Sequence, residues 1–587
     1  MIEGDALAKV LHVDLTDNRF WIEDRGDLFE RYLGGTGVAI KLLEQYCPKG
    51  ADPLGPENVI VLAVGPLTGR YPLASKTVAL FKSPHTGDLG ESHCGGRSAI
   101  AIRMAGYGAI VIRGRSRIPV YLSIRGGNVG FRDATTLWGM SSAFTVGRII
   151  REKESGAGMR TIMRIGRAGE NLVSCATVMT ETYRHFGRLG LGAVFGSKNL
   201  KAIVVSGRGS FPVTEPKQHK KLYKEIYDSA VDSPVMKKYH DLGTASNILP
   251  LNEMGGFPTR NLTAARFEGA ERISGEYLAQ HYLGRRLACA HCPVACIHIA
   301  ALREPYEDEP YFYKTSMISY DYEPIYAIGA MLGISDPEDF LRLMDRVEKR
   351  AVDVMSIGVI LAWATEALQR GIINENQTEG VRFEWGALGA YMRAVDLIVE
   401  QPNEFYADLA KGVKHAAARY GGEEMALTFG GNEMPGYHTG PAAALGYLIG
   451  ARHSHLDNAG YSLDQKVLLK EKQTPEQVVD ELVKEERWRQ ILSSLVICFF
   501  ARGIYTPEIV ARCLQLSGFD VAQKDLQRIG EEIYAAKFAY KVREGFKLKG
   551  THLAKRIFET PTPVDLMSER YVRKGLAYFS DSVIGGP

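Results

Sequence analysis

Hydrophobic and polar positions change rhythm once along this chain. From Val10 to about Gly207, short β-branched runs (VLHVDL, NVIVLAV, KTVALFK, GAIVIRG, VYLSIRGG, KAIVVSG) are cut off by glycine, proline or asparagine, the pattern of short strands. GRGSFPVTEPK (Gly207 to Lys217) is polar and carries two prolines, a boundary signal, and beyond it the spacing turns helical. In ISDPEDFLRLMDRVEKRAVDVMS, Phe340, Leu343, Met344, Val347 and Ala351 recur at helical intervals, and Ser335 with Glu338 predicts a capping box. Thr474 and Gln477 predict the same device at the head of TPEQVVDELVKEERWRQILSSLV, which runs toward Cys498. The expected fold class is α+β. A β-rich N-terminal domain covers residues 1–210, and two mainly α-helical domains cover 211–380 and 381–587, with the polar NENQTEG (Asn374 to Gly380) at their junction. There is no internal repeat and no low-complexity segment.

The length, 587 residues, exceeds what one hydrophobic core sustains, in keeping with several domains. Basic and acidic residues nearly balance, 71 against 68, so no charge excess asks for nucleic acid or an anionic membrane. The longest apolar runs, such as LSSLVICFF, are too short to span a bilayer, and MIEGDALAKVLHVDLT lacks the basic and apolar regions of a secretory signal. The expected location is cytoplasmic, where a reducing environment favours metal binding over disulfides. Glycine is dense in the first two hundred residues, in GGTG, GDLGESHCGG, AGYG and GRLGLGAVFG, which implies tight turns, close backbone approach to a large ligand, or both.

The candidate chemistry lies in LACAHCPVACIH. Thiolates spaced C-x2-C-x3-C at Cys289, Cys292 and Cys296 suit one face of an iron–sulfur cube, whose fourth iron takes a ligand from elsewhere. A zinc site recruiting His291 or His298 is the alternative, although structural zinc usually pairs two short hooks. Clusters that bind S-adenosylmethionine place the long gap first, whereas here it is second. Of the other cysteines, Cys47, Cys94, Cys175 and Cys513 read as small buried hydrophobes. Cys498, just past a long helix and flanked by apolar residues, reads as the fourth ligand.

Together these features resemble the aldehyde:ferredoxin oxidoreductase family, tungsten enzymes with two pterin dithiolene ligands. The resemblance runs through nearly the whole chain: YLGGTG, KSPHTGDLGESHCGG, AGYGAIVIRG, IGRAGENLV, GRLGLGAVFGSKNLKAIVV, DYEPIYAIGAMLGISD and EMPGYHTG occur in the family's order. It implies an N-terminal base of two β-sheets carrying the pterins, two helical domains enclosing them, and a [4Fe-4S] cluster on Cys289, Cys292, Cys296 and Cys498. It also implies tungsten or molybdenum held by bis-molybdopterin without a protein ligand, and a magnesium ion bridging the pterin phosphates.

On the phosphate side the resemblance assigns Lys76, Gly95, Gly96, Arg184 and His185, and it puts His93 where the family often has a magnesium-holding asparagine. The segment GLGAVFGSK has the wrong spacing for a Walker loop. Two D-x-x-G-L-D/C motifs normally embrace the pterin rings. Here they read Glu348-Lys-Arg-Ala351-Val352-Asp353 and Ser493-Ser-Leu-Val496-Ile497-Cys498. Glutamate and serine keep hydrogen-bond acceptors, whereas alanine and valine in place of glycine are expected to forbid positive φ or close backbone approach. Taken by itself, Glu348 reads as a solvated helix residue.

For catalysis the resemblance assigns Glu323, in DYEPIY, as general base and His455, in ARHSHLD, as the group that polarises the carbonyl or relays the proton. His453 and His438 are weaker candidates. The implied reaction is reversible oxidation of a small aldehyde to its acid, with ferredoxin or an iron–sulfur electron-transfer subunit as acceptor. Homo- and hetero-oligomers both stay open. The alternatives are the tungsten subunit of a low-potential aromatic acyl-thioester reductase (benzoyl-CoA type) and a non-catalytic zinc-stabilised scaffold.

Overall fold

The computed structural model describes residues 4–156, 158–181, 183–306, 309, 311–548 and 550–585. The chain divides into two compact units: Met1–Lys237 with Ala288–Ala295 and Glu486–Phe546, and Lys238–Leu287 with Cys296–Glu485 and Lys547–Pro587.

The first unit is built on two six-stranded sheets. One contains β1 (Lys9–Asp14), β2 (Arg19–Asp24), β3 (Ile60–Ala63), β4 (Thr77–Lys82), β5 (Leu89–Cys94) and β6 (Ala109–Arg113), in the order β2-β1-β6-β3-β4-β5. The other contains β7 (Val120–Arg125), β8 (Asn128–Asp133), β9 (Met159–Arg164), β10 (Val178–Met179), β11 (His185–Phe186) and β12 (Leu200–Gly207), in the order β11-β10-β9-β12-β7-β8. Each sheet holds one parallel pair, β1 with β6 and β12 with β7. All six runs read as strands from the sequence form strands here.

Leu11, Val13, Ile110 and Ile112 of one sheet share a buried cluster with Leu122, Ile124, Ile203 and Val205 of the other. Strands β3, β4 and β12 are buried on both faces. This explains why their sequences run continuously apolar instead of alternating. The helix Pro216–Val231 also belongs to this unit.

The second unit is mainly helical around a three-stranded antiparallel sheet of Leu283–Leu287, Ile297–Pro305 and Tyr313–Tyr320. Two sequence expectations meet different outcomes in its helices. Thr474 and Gln477 form the expected reciprocal cap on helix Pro475–Ser494: Thr474 N–H donates to Gln477 Oε1 at 2.9 Å, and Gln477 N–H donates to Thr474 Oγ1 at 3.3 Å.

The single helix expected from Ser335 is instead two helices. Asp336, not Ser335, caps Pro337–Arg350, accepting from the N–H groups of Glu338 (3.0 Å) and Asp339 (3.2 Å). With Pro337 at the first helical position, the residue just before it is the natural cap. Ala351 then ends that helix in the left-handed region, and Asp353 caps the next, Val354–Gln369.

Candidate functional site

Half of the eight cysteines, Cys47, Cys94, Cys175 and Cys513, are buried, as small hydrophobes would be. Burial pushes the Cys94 thiol up to about 12. The four candidate ligands, Cys289, Cys292, Cys296 and Cys498, are the four that stay partly open.

Within the first unit, backbone bonds link the cysteine loop to two segments distant in sequence and, through one of them, to a third. Leu73 N–H donates to His291 O at 3.1 Å, and Leu73 O accepts from Cys498 N–H at 2.8 Å. One residue therefore ties the Cys289–Cys292 loop to the Cys498 turn. On another side, Ala290 N–H donates to Gly96 O at 2.9 Å. A Cβ on Gly95 would stand 2.9 Å from Cys289 Sγ, so glycine keeps that position open for the sulfur. His291 (φ 57°) and Ala295 (φ 52°) curl the loop through left-handed conformations.

Cys296 begins the second piece of the second unit, where its carbonyl faces His298 Nδ1 at 3.1 Å while His298 Nε2 faces Asp241 O at 3.1 Å. Among the described residues, no three His, Cys, Asp or Glu side chains close on a point that one metal ion could take. The thiolates of an iron–sulfur cube bind different irons and stand wider apart.

The segment Ser493 to Cys498 completes this region. Val496 N–H donates to Ser493 O at 3.3 Å and Ile497 N–H to Leu492 O at 2.9 Å, a Schellman ending with valine at the left-handed position, φ 55°. Ala351 in the first motif has φ 56°. Both results overturn the expectation that alanine and valine forbid positive φ: the glycine-type backbone persists at both places. Ala351 and Val496 are buried, and that burial offsets a left-handed penalty of about 1–2 kcal/mol. Close approach is supplied from the other side by YLGGTG. A Cβ on Gly35 would meet Ser493 O at 2.2 Å, and Gly37 N–H donates to Ser494 Oγ at 3.1 Å.

The remaining phosphate-side candidates of this unit also have defined surroundings. Lys76 N–H donates to Val496 O at 3.3 Å, and its Nζ lies 5.7 Å from the Phe499 ring centre. His93 Nε2 lies 2.7 Å from Glu91 Oε1, the same oxygen that accepts from Thr36 Oγ1 at 3.0 Å, while Lys537 Nζ is 2.5 Å from Glu91 Oε2. Arg184 O accepts from Thr180 N–H at 2.7 Å. His185, on β11, is driven down to about 3 by burial and then by the guanidiniums of Arg164 and Arg184, so its ring is neutral. Glu91 and Lys537 were not singled out from the sequence. The available signals were the i, i+2 spacing of Glu91 and His93 on one strand face and the lysines four apart in AAKFAYK.

In the second unit, Glu323 Oε1 lies 3.4 Å from His455 Nδ1, and Glu323 Oε2 accepts from Gly436 N–H at 3.1 Å. The histidine sits on a turn capped by Ser454, whose N–H donates to Asp457 Oδ2 at 3.0 Å. Tyr437 stacks on Tyr461 (4.2 Å) and on Tyr322 (4.7 Å), and its ring centre is 5.4 Å from that of His455. An aromatic wall therefore borders the acid–imidazole pair. A π-helical turn, Ile325–Gly329, follows Glu323 directly, and such turns recur at functional sites.

Glu348 is buried, contrary to its reading as a solvated residue, and accepts from Ser319 Oγ at 2.6 Å. Asp353 Oδ2 accepts from Ser356 N–H (2.9 Å) and Ser356 Oγ (2.7 Å). His438 Nε2 faces Thr560 O at 2.9 Å, and His453 Nδ1 faces Tyr447 O at 2.9 Å. Both histidines are buried in local structural contacts.

The model of the aldehyde ferredoxin oxidoreductase N-terminal domain matches residues 10–207, and that of the family's domains 2 and 3 matches residues 221–577. The chain belongs to the aldehyde ferredoxin oxidoreductase family. Among its relatives, the tungsten-containing aldehyde ferredoxin oxidoreductase of Thermococcus kodakarensis is 32% identical over 572 residues, 94% of this chain and 92% of that protein. The protein of that name from Pyrococcus abyssi is 33% identical over 578 residues, with the same coverage. A Pyrococcus furiosus aliphatic sulfonate oxidoreductase, WOR-like subunit, is 32% identical over 70% of this chain and 67% of its own length.

The fold is also that of the active site complex BamBC of benzoyl coenzyme A reductase, solved with 1,5-dienoyl-CoA. The TM-score is 0.82 at 22% identity, covering 99% of this chain and 94% of that one. As a family member the chain is an oxidoreductase. No helix of the described residues is long and apolar enough to cross a membrane.

Proposed function

We propose that this protein is a tungsten–pterin oxidoreductase that converts an aldehyde and water to a carboxylic acid, reversibly, releasing two electrons and two protons. The tungsten–dithiolene group, when bound, supplies the two-electron sink. The protein's own residues hold the reactants and move protons. Glu323, fixed by Gly436 N–H, takes the proton of the attacking water. His455, held on its capped turn, steadies the carbonyl oxygen or passes the proton on. The tyrosine wall keeps bulk water from the pair.

Cys289, Cys292, Cys296 and Cys498 are the residues for a [4Fe-4S] cluster through which electrons leave one at a time. Lys76, Gly95, Gly96, Arg184 and His185 serve the pterin phosphates, and His93 serves the magnesium between them. Glu348, Asp353, Ser493 and Ile497 serve the pterin rings. The observation that carries the reading is the Leu73 backbone, bonded at once to His291 and to Cys498, which holds two sulfur-bearing turns together with no metal needed to join them.

The electron acceptor is a ferredoxin or an iron–sulfur subunit, and the local charge supports an acidic one. Residues 58–87, 92–132, 277–303 and 487–507, the stretches that contain Leu73, Gly96, Cys289 and Cys498, hold arginine and lysine but no aspartate or glutamate. Positive surroundings favour the reduced, more negative cluster and draw in an acidic carrier.

Metal analysis of the purified protein, paired with aldehyde-dependent dye reduction, tests the proposal. Tungsten or molybdenum with iron, and dye reduction by aldehyde, is the expected result. Zinc alone overturns it. Oxidation of a reduced dye by an aromatic acyl-thioester, with no response to aldehyde, transfers the protein to ring reduction.

A further inference from the structure

We infer that Asp464 is a positioning residue for the Glu323–His455 pair, acting through the Tyr437–Tyr461 stack that borders it, an inference that rests on the proposed roles of that pair. Asp464 lies three residues after Tyr461 in one helical run, where the turn Gly460–Leu463 continues as a π-helical turn, Asp464–Leu468. Its carboxylate accepts from three donors of a single segment. Thr439 Oγ1 (2.8 Å) and Ala443 N–H (2.9 Å) donate to Oδ2, and Ala442 N–H donates to Oδ1 at 2.9 Å. Pro441 opens the helix Pro441–Ile449 and has no N–H, so Ala442 and Ala443 supply the first amides of that helix. A Cβ on Gly440 would stand 2.6 Å from Asp464 Oδ1, so glycine makes room for the carboxylate.

Each of the two segments fastened by Asp464 carries one ring of the stack: Tyr437, two residues before Thr439, and Tyr461, one turn before Asp464. The two ring centres are 4.2 Å apart, and they lie 5.4 Å and 6.3 Å from that of His455. Gly436, whose N–H holds Glu323, begins the same segment as Tyr437. The carboxylate therefore sets the register of two segments that between them touch both members of the pair. Stability alone does not account for an acid here. Asp464 is fully buried, and among the described residues no cation pairs with it. Burial pushes its carboxyl up to about 7, against the three donors that pull it down. A buried carboxylate without a countercharge is costly, and such perturbed groups concentrate where a site must be held in place.

The test is a double-mutant cycle between Asp464→Asn and Tyr461→Leu in the purified holoenzyme. It is read as kcat and KM for an aliphatic aldehyde, normalised to bound tungsten, with thermal midpoints beside them. Asp464→Asn keeps the volume but turns an amide donor toward N–H groups. In the Tyr461 background kcat should fall about 10-fold or more while KM changes less than about 2-fold, the signature of lost alignment. In the Tyr461→Leu background the same replacement should cause no further fall. If Asp464→Asn does not fold, Thr439→Val removes one of the three bonds and should lower kcat in the same selective way, whereas Thr439→Ser keeps the hydroxyl and should restore it. Equal losses in both backgrounds would make Asp464 merely structural and overturn the inference. Full kcat in Asp464→Asn, with loss in Tyr461→Leu, would overturn it while leaving the stack in catalysis. Full kcat in Tyr461→Leu would remove the stack, and the inference with it. Absence of aldehyde turnover in the unsubstituted holoenzyme is a separate failure, which takes down the aldehyde reading and the inference together.

Discussion

His455 Nδ1 stands 3.4 Å from Glu323 Oε1, while the other carboxylate oxygen is held by the N–H of Gly436. Glu323→Gln keeps the shape and an oxygen for Gly436 but removes the base. Turnover is expected to fall roughly 10²–10⁴-fold, with tungsten, iron and the thermal midpoint unchanged. Undiminished turnover with the preferred aldehyde would take Glu323 out of the chemistry.

Cys498→Ala separates the sulfur from the scaffold. The bond to Leu73 uses the main chain of residue 498 and survives the substitution, so the fold should persist. Iron per chain and the electron paramagnetic resonance signal of the reduced cluster should both drop. An unaltered spectrum refutes the fourth-ligand assignment.

Val496 sets two opposing terms against each other. Its left-handed backbone costs about 1–2 kcal/mol, and burying its side chain returns about 1.5–3 kcal/mol. Val496→Gly relieves the first and loses the second, a net change between about 0.5 kcal/mol of stabilisation and about 2 kcal/mol of destabilisation by the same magnitudes. Val496→Ala loses burial while keeping the strain, so by urea unfolding it should be the least stable of the three. An alanine variant as stable as valine would show that the side chain is not what holds this turn.

His438 gives a pH dependence of defined sign. Burial lowers it to about 4, below its ordinary 6.5, and its Nε2 faces Thr560 O. Between these values the unfolded chain takes up a proton that the folded protein refuses, so stability falls as pH drops from 6.5 toward 4. Over that window the loss is about 3 kcal/mol. His438→Gln should flatten this part of the stability profile, measured as unfolding free energy at pH 7 and at pH 4.5. An unchanged slope would assign the acid sensitivity to other groups.

Local chemistry was legible in the sequence wherever one segment determines it. Glycine- and proline-bounded β-branched runs gave strands, and the Thr474–Gln477 spacing gave a cap. The cysteine spacing picked out thiols that do stay open. What escaped depends on partners far along the chain. Ala351 and Val496 were expected to exclude a left-handed turn because their own preference does so, and only tertiary burial reverses it. Glu91 is meaningful through Lys537, 446 positions later, which no local pattern reveals. Tyr437 and Tyr461 form a wall only once EMPGYHTG and the turn after His455 are folded together.

The way the chain supplies the first unit fixes an order of events during synthesis. Its last piece ends at Phe546, 309 residues after Lys237. At roughly 5–20 residues per second, that interval is on the order of 15–60 seconds of translation. For most of it, the glycines of YLGGTG lack the helix end they are shaped to meet, and Leu73 has no Cys498 to bond. The sulfur loop therefore emerges from the ribosome well before its mate. Delivery of the proposed cluster belongs to a nearly finished polypeptide, and a nascent or truncated chain that stops short of residue 498 presents three thiols with nothing to complete them.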